Sequence, residues 1–207
     1  MIDQARLQTA LDEHEIQKVL ISWALARDCG DWEVLANCFQ PDATIHISWI
    51  SGSAAEFVER SKGMLKEFKP GEQGKHTMGA SKVDVNGNRA ISQIHAELIR
   101  RVSALDFDFD TQTWGRFVDL FEKRDDGVWR IFKRTMVYDK DRMEPVNPDQ
   151  APDGFYDAMN LDRFPPACRF LCYRLSLNNH APMADIVTTG SDAEKALLAE
   201  QQVWLAS

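Results

Sequence analysis

Few side chains in this sequence combine a reactive type with an unusual position, and the first of them is a carboxylate. Asp28 ends an apolar stretch just before Gly30, a residue type that commonly closes a helix, so it falls in the last helical turn. The helix dipole is negative there, which disfavours a carboxylate by a few tenths to about 1 kcal/mol, and burial raises that cost. Asp28 therefore needs a partner, unless it caps the next helix or pairs with Arg27.

Histidine is the side chain best suited to exchange protons near neutral pH, and two histidines are candidates for the site. His76 lies between Gly74 and Gly79, where the predicted structure changes from helix to strand. Such junctions often carry site residues because the scaffold fixes them while one side stays open. His46 lies within a predicted strand, where a histidine is more often structural, so it is a candidate only for the lining of a pocket.

Two arginines lie among apolar residues on neighbouring predicted strands. By the period of two, Arg134 shares a face with Phe132, Met136 and Tyr138, and Arg116 occupies a similar place one strand away. Each guanidinium either reaches outward to solvent or points into an enclosed space to meet an anion. For either arginine alone, the pattern favours a structural salt bridge.

The elements that position these side chains are predicted from hydrophobic periodicity. A first helix should begin with Asp12 as its N-cap and Glu15 in a capping box, and end near Asp28. Its second apolar face, with Ile21 and Leu25, should also be covered. Further helices are predicted over residues 31–39 and 54–68, and strands over 43–50, 81–86, 89–103, 113–123 and 127–138. This order indicates an α+β fold whose helices cover one face of a curved, mainly antiparallel sheet.

The composition changes after residue 139. Five prolines punctuate an irregular arm, a helix is predicted near residues 167–177, and a last helix opens with a capping box at Ser191 and runs to Trp204. The arm is too rich in aromatic residues to be a free tail. We therefore expect a main domain over residues 1–140 and, over residues 141–207, an extension that packs on it or on a neighbouring subunit.

The overall composition excludes several classes of function. The 207 residues carry a net charge of −8, which argues against a nucleic-acid partner. No signal peptide and no apolar run of membrane-spanning length is visible, so a cytoplasmic protein is expected. The four cysteines show no zinc-ligand spacing, and no phosphate-binding glycine loop is present, so neither a metal nor a cofactor is predicted.

Three separated motifs resemble one known family. They are residues 27–32 (RDCGDW), 39–43 (FQPDA) and 115–131 (GRFVDLFEKRDDGVWRI), and together they resemble the SnoaL-like branch of the NTF2-like superfamily. The resemblance spans about residues 8–140. It implies a cone-shaped α+β barrel with a deep apolar pocket. Lyases of this family include scytalone dehydratase, bile acid dehydratases and a hexachlorocyclohexane dehydrochlorinase, most of which need no metal or organic cofactor.

The resemblance also implies roles for individual residues. It places the aspartate of those lyases on Asp28, its histidine partner on His76, and an arginine on Arg134. A carboxylate that accepts a hydrogen bond from one imidazole nitrogen fixes the tautomer, which makes the other nitrogen a general base. Arg134 would stabilise negative charge that develops on a leaving group. The sequence departs from those enzymes at Trp23, where they have lysine or tyrosine, so their substrates and leaving groups do not transfer.

The resulting hypothesis is a cofactor-independent lyase that eliminates water, halide or formaldehyde from a lipophilic, aromatic small molecule. The candidate pocket residues are Trp23, His46, Trp49, Arg116, Phe117 and Tyr138. The alternatives are an isomerase or cyclase with the same Asp28–His76 pair, a non-catalytic binding module, or the small subunit of a ring-hydroxylating oxygenase. A homotrimer or homodimer is expected, with the arm either forming the interface or closing the pocket.

Overall fold

Helices occupy both ends of the chain. The computed structural model describes residues 3–66, 68–104, 107–150, 153–177 and 181–207. Within these ranges the α-helices are α1 (Gln4–Cys29), α2 (Trp32–Asn37), α3 (Ala54–Lys66), α4 (Arg169–Leu177) and α5 (Asp192–Ala206). Two predicted elements include residues outside the described ranges. The third helix includes Glu67, and the arm includes Pro152.

The strands between these helices form one mixed sheet. They are β1 (Phe39–Ile47), β2 (Ile50–Ser53), β3 (Lys75–Asn86), β4 (Arg89–Ala104), β5 (Phe107–Lys123), β6 (Trp129–Pro145) and β7 (Val187–Thr188). Their order is β2-β1-β6-β5-β4-β3, and β7 adds to β6 beyond the end of β1. Strands β1 and β7 run parallel to β6, and the other pairs are antiparallel. The α+β fold is confirmed, and the sheet stays open because its edge strands β2 and β3 do not pair with each other.

The first helix begins earlier than predicted. Its N-cap is Asp3, which accepts a hydrogen bond from the backbone of Ala5, so the prediction that Asp12 caps the helix is wrong. Asp12 lies inside the helix and accepts hydrogen bonds from Lys123 Nζ at 2.6 Å and Trp129 Nε1 at 2.8 Å. Burial raises the pKa of this carboxyl, but its hydrogen bonds outweigh burial and hold the pKa below the ordinary value. A buried ion pair therefore occupies the position that the sequence pattern assigned to a cap.

The end of the first helix agrees with the prediction. Gly30 adopts the left-handed conformation with φ of 75°, and its backbone N–H donates to Ala26. The second helix ends at Asn37, because the backbone from Phe39 onward pairs with β6 as strand β1. Strand β1 therefore begins at Phe39 and ends at Ile47, both earlier than in the strand predicted over residues 43–50.

The N-terminal helices cover one face of the sheet as predicted, and the extension places one helix on each face. In α4, Leu171, Cys172 and Leu175 join the core formed by α1, α3 and the inner sheet face. On the other face, Leu197 of α5 packs against Val118, Val137 and Val187. Both helices thus pack on their own chain, and the sheet lies between them.

A β-bulge changes the facing of residues in β6. The register between β5 and β6 shifts between Leu120 and Phe121, so Ile131 joins the main core. Phe132 instead stacks on Trp204 of α5 with ring centroids 4.9 Å apart. The prediction that Phe132 shares a face with Arg134 opposite Ile131 is therefore wrong, because the extra residue reverses the alternation.

One face of α1 stays exposed in this chain. Ile21 is 53% exposed and Leu25 is 62% exposed, and Leu7 and Leu11 are about half exposed as well. No described part of the chain covers these four side chains, so the expectation that this face is covered is not met within one copy. The homo-oligomer stays a prediction.

Candidate active site

One pocket opens between α1, α3, α4 and the inner face of the sheet. Its empty space is about 910 Å³ when the open mouth is included. The centre of a water molecule can move through about 90 Å³ of it. Its apolar lining includes Trp23, Ile47, Trp49, Phe57, Met64, Leu65, Phe68, Leu98, Phe117, Met136, Leu171 and Leu175. Its polar lining includes Arg27, Asp28, Ser48, His76, Glu97, Arg100, Thr113, Tyr138 and Arg174.

Asp28 and His76 meet at the wall of this pocket. Asp28 Oδ2 accepts from the backbone N–H of His76 at 2.7 Å, and Oδ1 lies 2.6 Å from His76 Nδ1. The Asp28 side chain is 7% exposed and that of His76 is 16% exposed. These two hydrogen bonds supply the partner that a carboxylate in the last turn of α1 requires, because they offset the unfavourable helix dipole.

The geometry leaves the other imidazole nitrogen available. With Nδ1–H donating to Asp28, Nε2 is the unprotonated nitrogen, and no described residue hydrogen-bonds to it. The ring of Trp23 contacts the imidazole edge-to-face with centroids 5.2 Å apart, and Trp23 in turn contacts Phe57 and Phe117. An acceptor nitrogen thus faces an aromatic pocket and can take a proton from a bound molecule.

Tyr138 places a hydroxyl on the same pocket. Its oxygen accepts from the backbone N–H of Ser48 at 2.9 Å, and burial raises the pKa of the phenol far above its usual range. The phenol therefore stays protonated, and the side chain of Ser48 is a second hydrogen-bonding neighbour beside it. Tyr138 can donate that proton in a hydrogen bond to a ligand.

Arg134 lies behind the pocket wall. Its guanidinium donates two hydrogen bonds of 2.8 Å to the carboxylate of Asp119, and neither side chain is exposed. The guanidinium carbon lies 4.5 Å from the ring centroid of Trp23 and 4.2 Å from that of Phe117. The expectation that Arg134 contacts a leaving group is therefore not supported, because aromatic rings separate it from the pocket and Asp119 neutralises its charge.

Two other predicted site residues lie away from the pocket. His46 Nε2 lies 3.0 Å from the backbone oxygen of Asp185 in the C-terminal arm. Arg116 forms ion pairs with Glu194 of α5 and with Asp139. Neither residue lines the pocket. His46 alternates with the inward-facing Ile45 and Ile47, and Arg116 precedes the inward-facing Phe117 in an unbroken stretch of β5, so it points to the outer face.

Sequence comparison agrees with this arrangement. Residues 8–135 match the family described as the SnoaL-like domain, which covers more than half of the chain. This chain belongs to the SnoaL-like family. The match includes Asp28, His76 and every strand that pairs in the pocket wall as far as residue 135.

Related proteins give the family member its wider context. Pea pathogenicity protein 2 of Fusarium vanettenii is 31% identical over 168 residues, which cover 79% of this chain and 69% of that protein. A putative scytalone dehydratase of Novosphingobium aromaticivorans superposes with a TM-score of 0.56 at 18% identity, covering 71% of this chain and 99% of that chain. A hexachlorocyclohexane dehydrochlorinase of type 2 superposes with a TM-score of 0.55 at 16% identity, covering 72% and 99%. These structures share the NTF2-like fold of this SnoaL-like protein.

The pocket of the SnoaL-like protein also contains three arginines that the sequence reasoning missed. They are Arg27 of α1, Arg100 of β4 and Arg174 of α4. A signal was present for two of them. Arg100 continues the inward alternation of Ala96 and Leu98, and Arg174 follows Leu171 by one helical turn within an apolar helix.

Burial lowers the pKa of Arg27 to about 10, with the charge of Asp28 opposing this shift and that of Arg100 adding to it. Burial also lowers the pKa of Arg174, to about 9, with Arg100 acting in the same direction. Both guanidinium groups are still charged at neutral pH, so the pocket carries positive charge on its wall.

The described ranges contain neither a cluster of metal-binding side chains nor a membrane-spanning helix. No three His, Cys, Asp or Glu side chains in those ranges cluster so that they could hold a metal ion. None of the helices in the same ranges is both long and apolar enough to cross a membrane.

Proposed function

We propose that this SnoaL-like protein is a cofactor-independent lyase in which His76 is the general base and Asp28 orients it. The single observation that carries the proposal is the double hydrogen bond from His76 to Asp28, which leaves Nε2 facing an aromatic pocket. Proton abstraction by a base held in this way contributes about 10²–10⁴ in rate.

The proposed reaction is an elimination. Nε2 removes a proton from the substrate, the electrons of the broken bond form a new double bond, and the leaving group departs with the electrons of its own bond. Asp28 stabilises the imidazolium that forms, because its carboxylate stays hydrogen-bonded to Nδ1–H. When the leaving group is formaldehyde, the base takes the hydroxyl proton and the O–H electrons form the double bond of formaldehyde. The electron pair of the broken carbon–carbon bond then passes to the remaining carbon, which takes the proton back from the imidazolium.

Tyr138 is the donor best placed to assist the leaving group. The N–H of Ser48 donates to the phenol oxygen, and the phenol lines the pocket, so its O–H can donate to a bound ligand. A hydrogen bond from a protonated phenol stabilises negative charge on a departing oxygen or halide. The phenol takes the role that the sequence resemblance assigned to Arg134.

The lining of the pocket supports a lipophilic, aromatic substrate. Trp23, Trp49, Phe57 and Phe117 present ring faces and edges to the pocket. The structural neighbours named as a dehydratase and a dehydrochlorinase support elimination as the reaction class. An isomerase with the same base and a binding module without turnover are the competing functions.

The test is a product analysis on a panel of aromatic compounds. Each compound carries a hydroxyl, a halide or a hydroxymethyl group next to an activated C–H or O–H bond, and products are read by mass spectrometry. We expect a product lighter by one water, hydrogen halide or formaldehyde. His76→Ala and Asp28→Ala should abolish its formation, and circular dichroism should show an intact fold.

His95→Ala is the matched control, because His95 is exposed and does not line the pocket. It should retain full activity. A product of unchanged mass would favour an isomerase. Turnover that survives both His76→Ala and Asp28→Ala would overturn the proposed pair.

A further inference from the structure

Arg174 is a buried cation without a counter-ion in the described chain. It is 4% exposed, it lies in α4, and it lines the pocket. Its Nε is buried and has no hydrogen-bond partner. The neighbours that influence its charge are Arg100, Tyr138 and Cys172, and none of them is a carboxylate.

A buried arginine without a counter-ion lowers the stability of the folded protein. A buried charge needs an opposite charge or several hydrogen bonds to offset the loss of hydration. Arg134, the other deeply buried arginine of the core, has both from Asp119. Arg174 has neither among the described residues, so its natural partner is a ligand in the pocket.

Arg100 adds a second cation to the same region. Its guanidinium carbon lies 3.9 Å from the ring centroid of Phe68, which also lines the pocket. Both arginines line the same pocket, and repulsion from Arg100 adds to burial in lowering the pKa of Arg174. An anion bound between them would relieve this repulsion.

The acidic residues of the pocket do not balance these cations. Asp28 is occupied by His76, and Glu97 accepts a hydrogen bond from Gln112 Nε2 at 3.0 Å. With Arg27, the lining contains three arginines against these two carboxylates. The pocket therefore favours an anionic ligand over a neutral or cationic one.

We infer that Arg174, together with Arg100, binds a carboxylate, and that the substrate is an aromatic acid rather than a neutral aromatic compound. A planar guanidinium matches a carboxylate with two parallel hydrogen bonds, which gives both energy and orientation. The inference deepens the proposed function and rests on it for the word substrate. The anion subsite itself concerns binding alone.

The test compares two ligands of nearly equal shape, cinnamate and cinnamamide, by isothermal titration calorimetry on the full chain. We expect cinnamate to bind at least about tenfold more tightly, because a hydrogen bond between two charged groups is stronger than one to a neutral amide. Arg174→Gln should remove most of this preference and leave the affinity for cinnamamide nearly unchanged. Arg174→Lys should restore part of it.

Arg101→Gln is the matched control, since Arg101 neighbours Arg100 but is exposed and paired with Asp110. It should keep the preference for cinnamate. Arg100→Gln provides a second pocket variant if Arg174→Gln does not fold, and it should weaken cinnamate binding. Equal affinity of the unmodified protein for the two ligands would overturn the inference, as would an intact preference in folded Arg174→Gln.

His76→Ala separates this inference from the proposed function. The variant should keep the preference for cinnamate, because the imidazole is not part of the anion subsite. A protein that prefers cinnamate but turns over no member of the aromatic panel would contradict the lyase and support the anion subsite. A protein that turns over neutral compounds and binds both ligands equally would support the lyase and contradict the anion subsite.

Discussion

Asp28 contacts His76 twice, through the backbone N–H at 2.7 Å and through Nδ1 at 2.6 Å. The backbone contact fixes where the carboxylate lies, and the ring contact fixes which nitrogen carries the proton. Position and tautomer therefore depend on one carboxylate, which suggests a substitution that separates them.

Asp28→Asn should preserve the position and reverse the tautomer. An amide oxygen can still accept from the backbone, but its NH₂ group faces Nδ1 and favours an imidazole protonated at Nε2. The proposed base is then lost, and we expect kcat to fall by about 10²–10⁴. Nitrogen chemical shifts of the His76 ring, assigned by comparison with His76→Ala, report the tautomer without a substrate. An unchanged tautomer in Asp28→Asn would contradict the orienting role of Asp28.

Arg134→Met should reduce stability because it leaves Asp119 buried without its cation. The two side chains are fully buried and paired, so breaking the pair should lower the free energy of unfolding by about 3–5 kcal/mol. The measurement is urea denaturation. Arg142→Met, which removes an exposed arginine of the same strand, should cost less than about 1 kcal/mol.

Adding Asp119→Leu to Arg134→Met should recover part of the lost stability, because no unpaired charge then remains in the core. A double variant less stable than Arg134→Met would contradict the idea that the unpaired charge of Asp119 causes the loss of stability.

Asp141 should make stability depend on pH. Burial raises the pKa of its carboxyl to about 6, although the backbone N–H of Leu171 in α4 opposes this by donating at 2.8 Å. The pKa of Asp141 is higher in the folded protein than in the unfolded chain. Its contribution to stability is therefore present below the unfolded pKa and is lost as pH rises through the folded pKa.

Asp141→Asn keeps an acceptor for Leu171 and cannot ionise. We expect its melting temperature to match that of the unmodified protein near about pH 4 and to exceed it near about pH 7. Asp162→Asn, at an exposed aspartate of the same arm, should show no such trend. A constant difference across this range would contradict the account.

Gln201 should attach α5 to the sheet. Its side chain is 1% exposed, and Nε2 donates to the backbone oxygens of Ser92 at 2.9 Å and Asp119 at 3.0 Å. Gln201→Met should lower the free energy of unfolding by about 1–3 kcal/mol, because two buried acceptors lose their donor. Gln202→Met, at the exposed next position, should change it by less than about 0.5 kcal/mol in a parallel urea titration.

The fold class and the order of elements could be predicted from the sequence because they follow local periodicity. The start of α1 could not, since the role of Asp12 depends on Lys123 and Trp129, which lie more than 110 residues away. The facing of Phe132 could not either. A bulge adds one residue to the strand without a mark in the hydrophobic pattern, and the alternation reverses beyond it.

The site was predictable to the extent that it follows motifs. Asp28 and His76 were paired through the resemblance, the structure places them in contact, and their catalytic role stays a prediction. Arg134 and Arg116 fail as pocket residues because each meets an acidic partner, Asp119 or Glu194, that periodicity cannot pair with it. Arg174 was missed because the long side chain of an arginine in an apolar helix usually reaches solvent, and the sequence does not show that this one points inward.

The boundary of the family match divides the pocket in a useful way. Residues 8–135 supply Asp28 and His76, whereas Arg174 comes from α4, well beyond that boundary. The part of the gene that encodes the proposed base is thus separate from the part that encodes Arg174. Relatives that keep the first and replace the second would keep the proposed base with a different choice of molecule, so selectivity could diverge in this lineage without any change to Asp28 and His76.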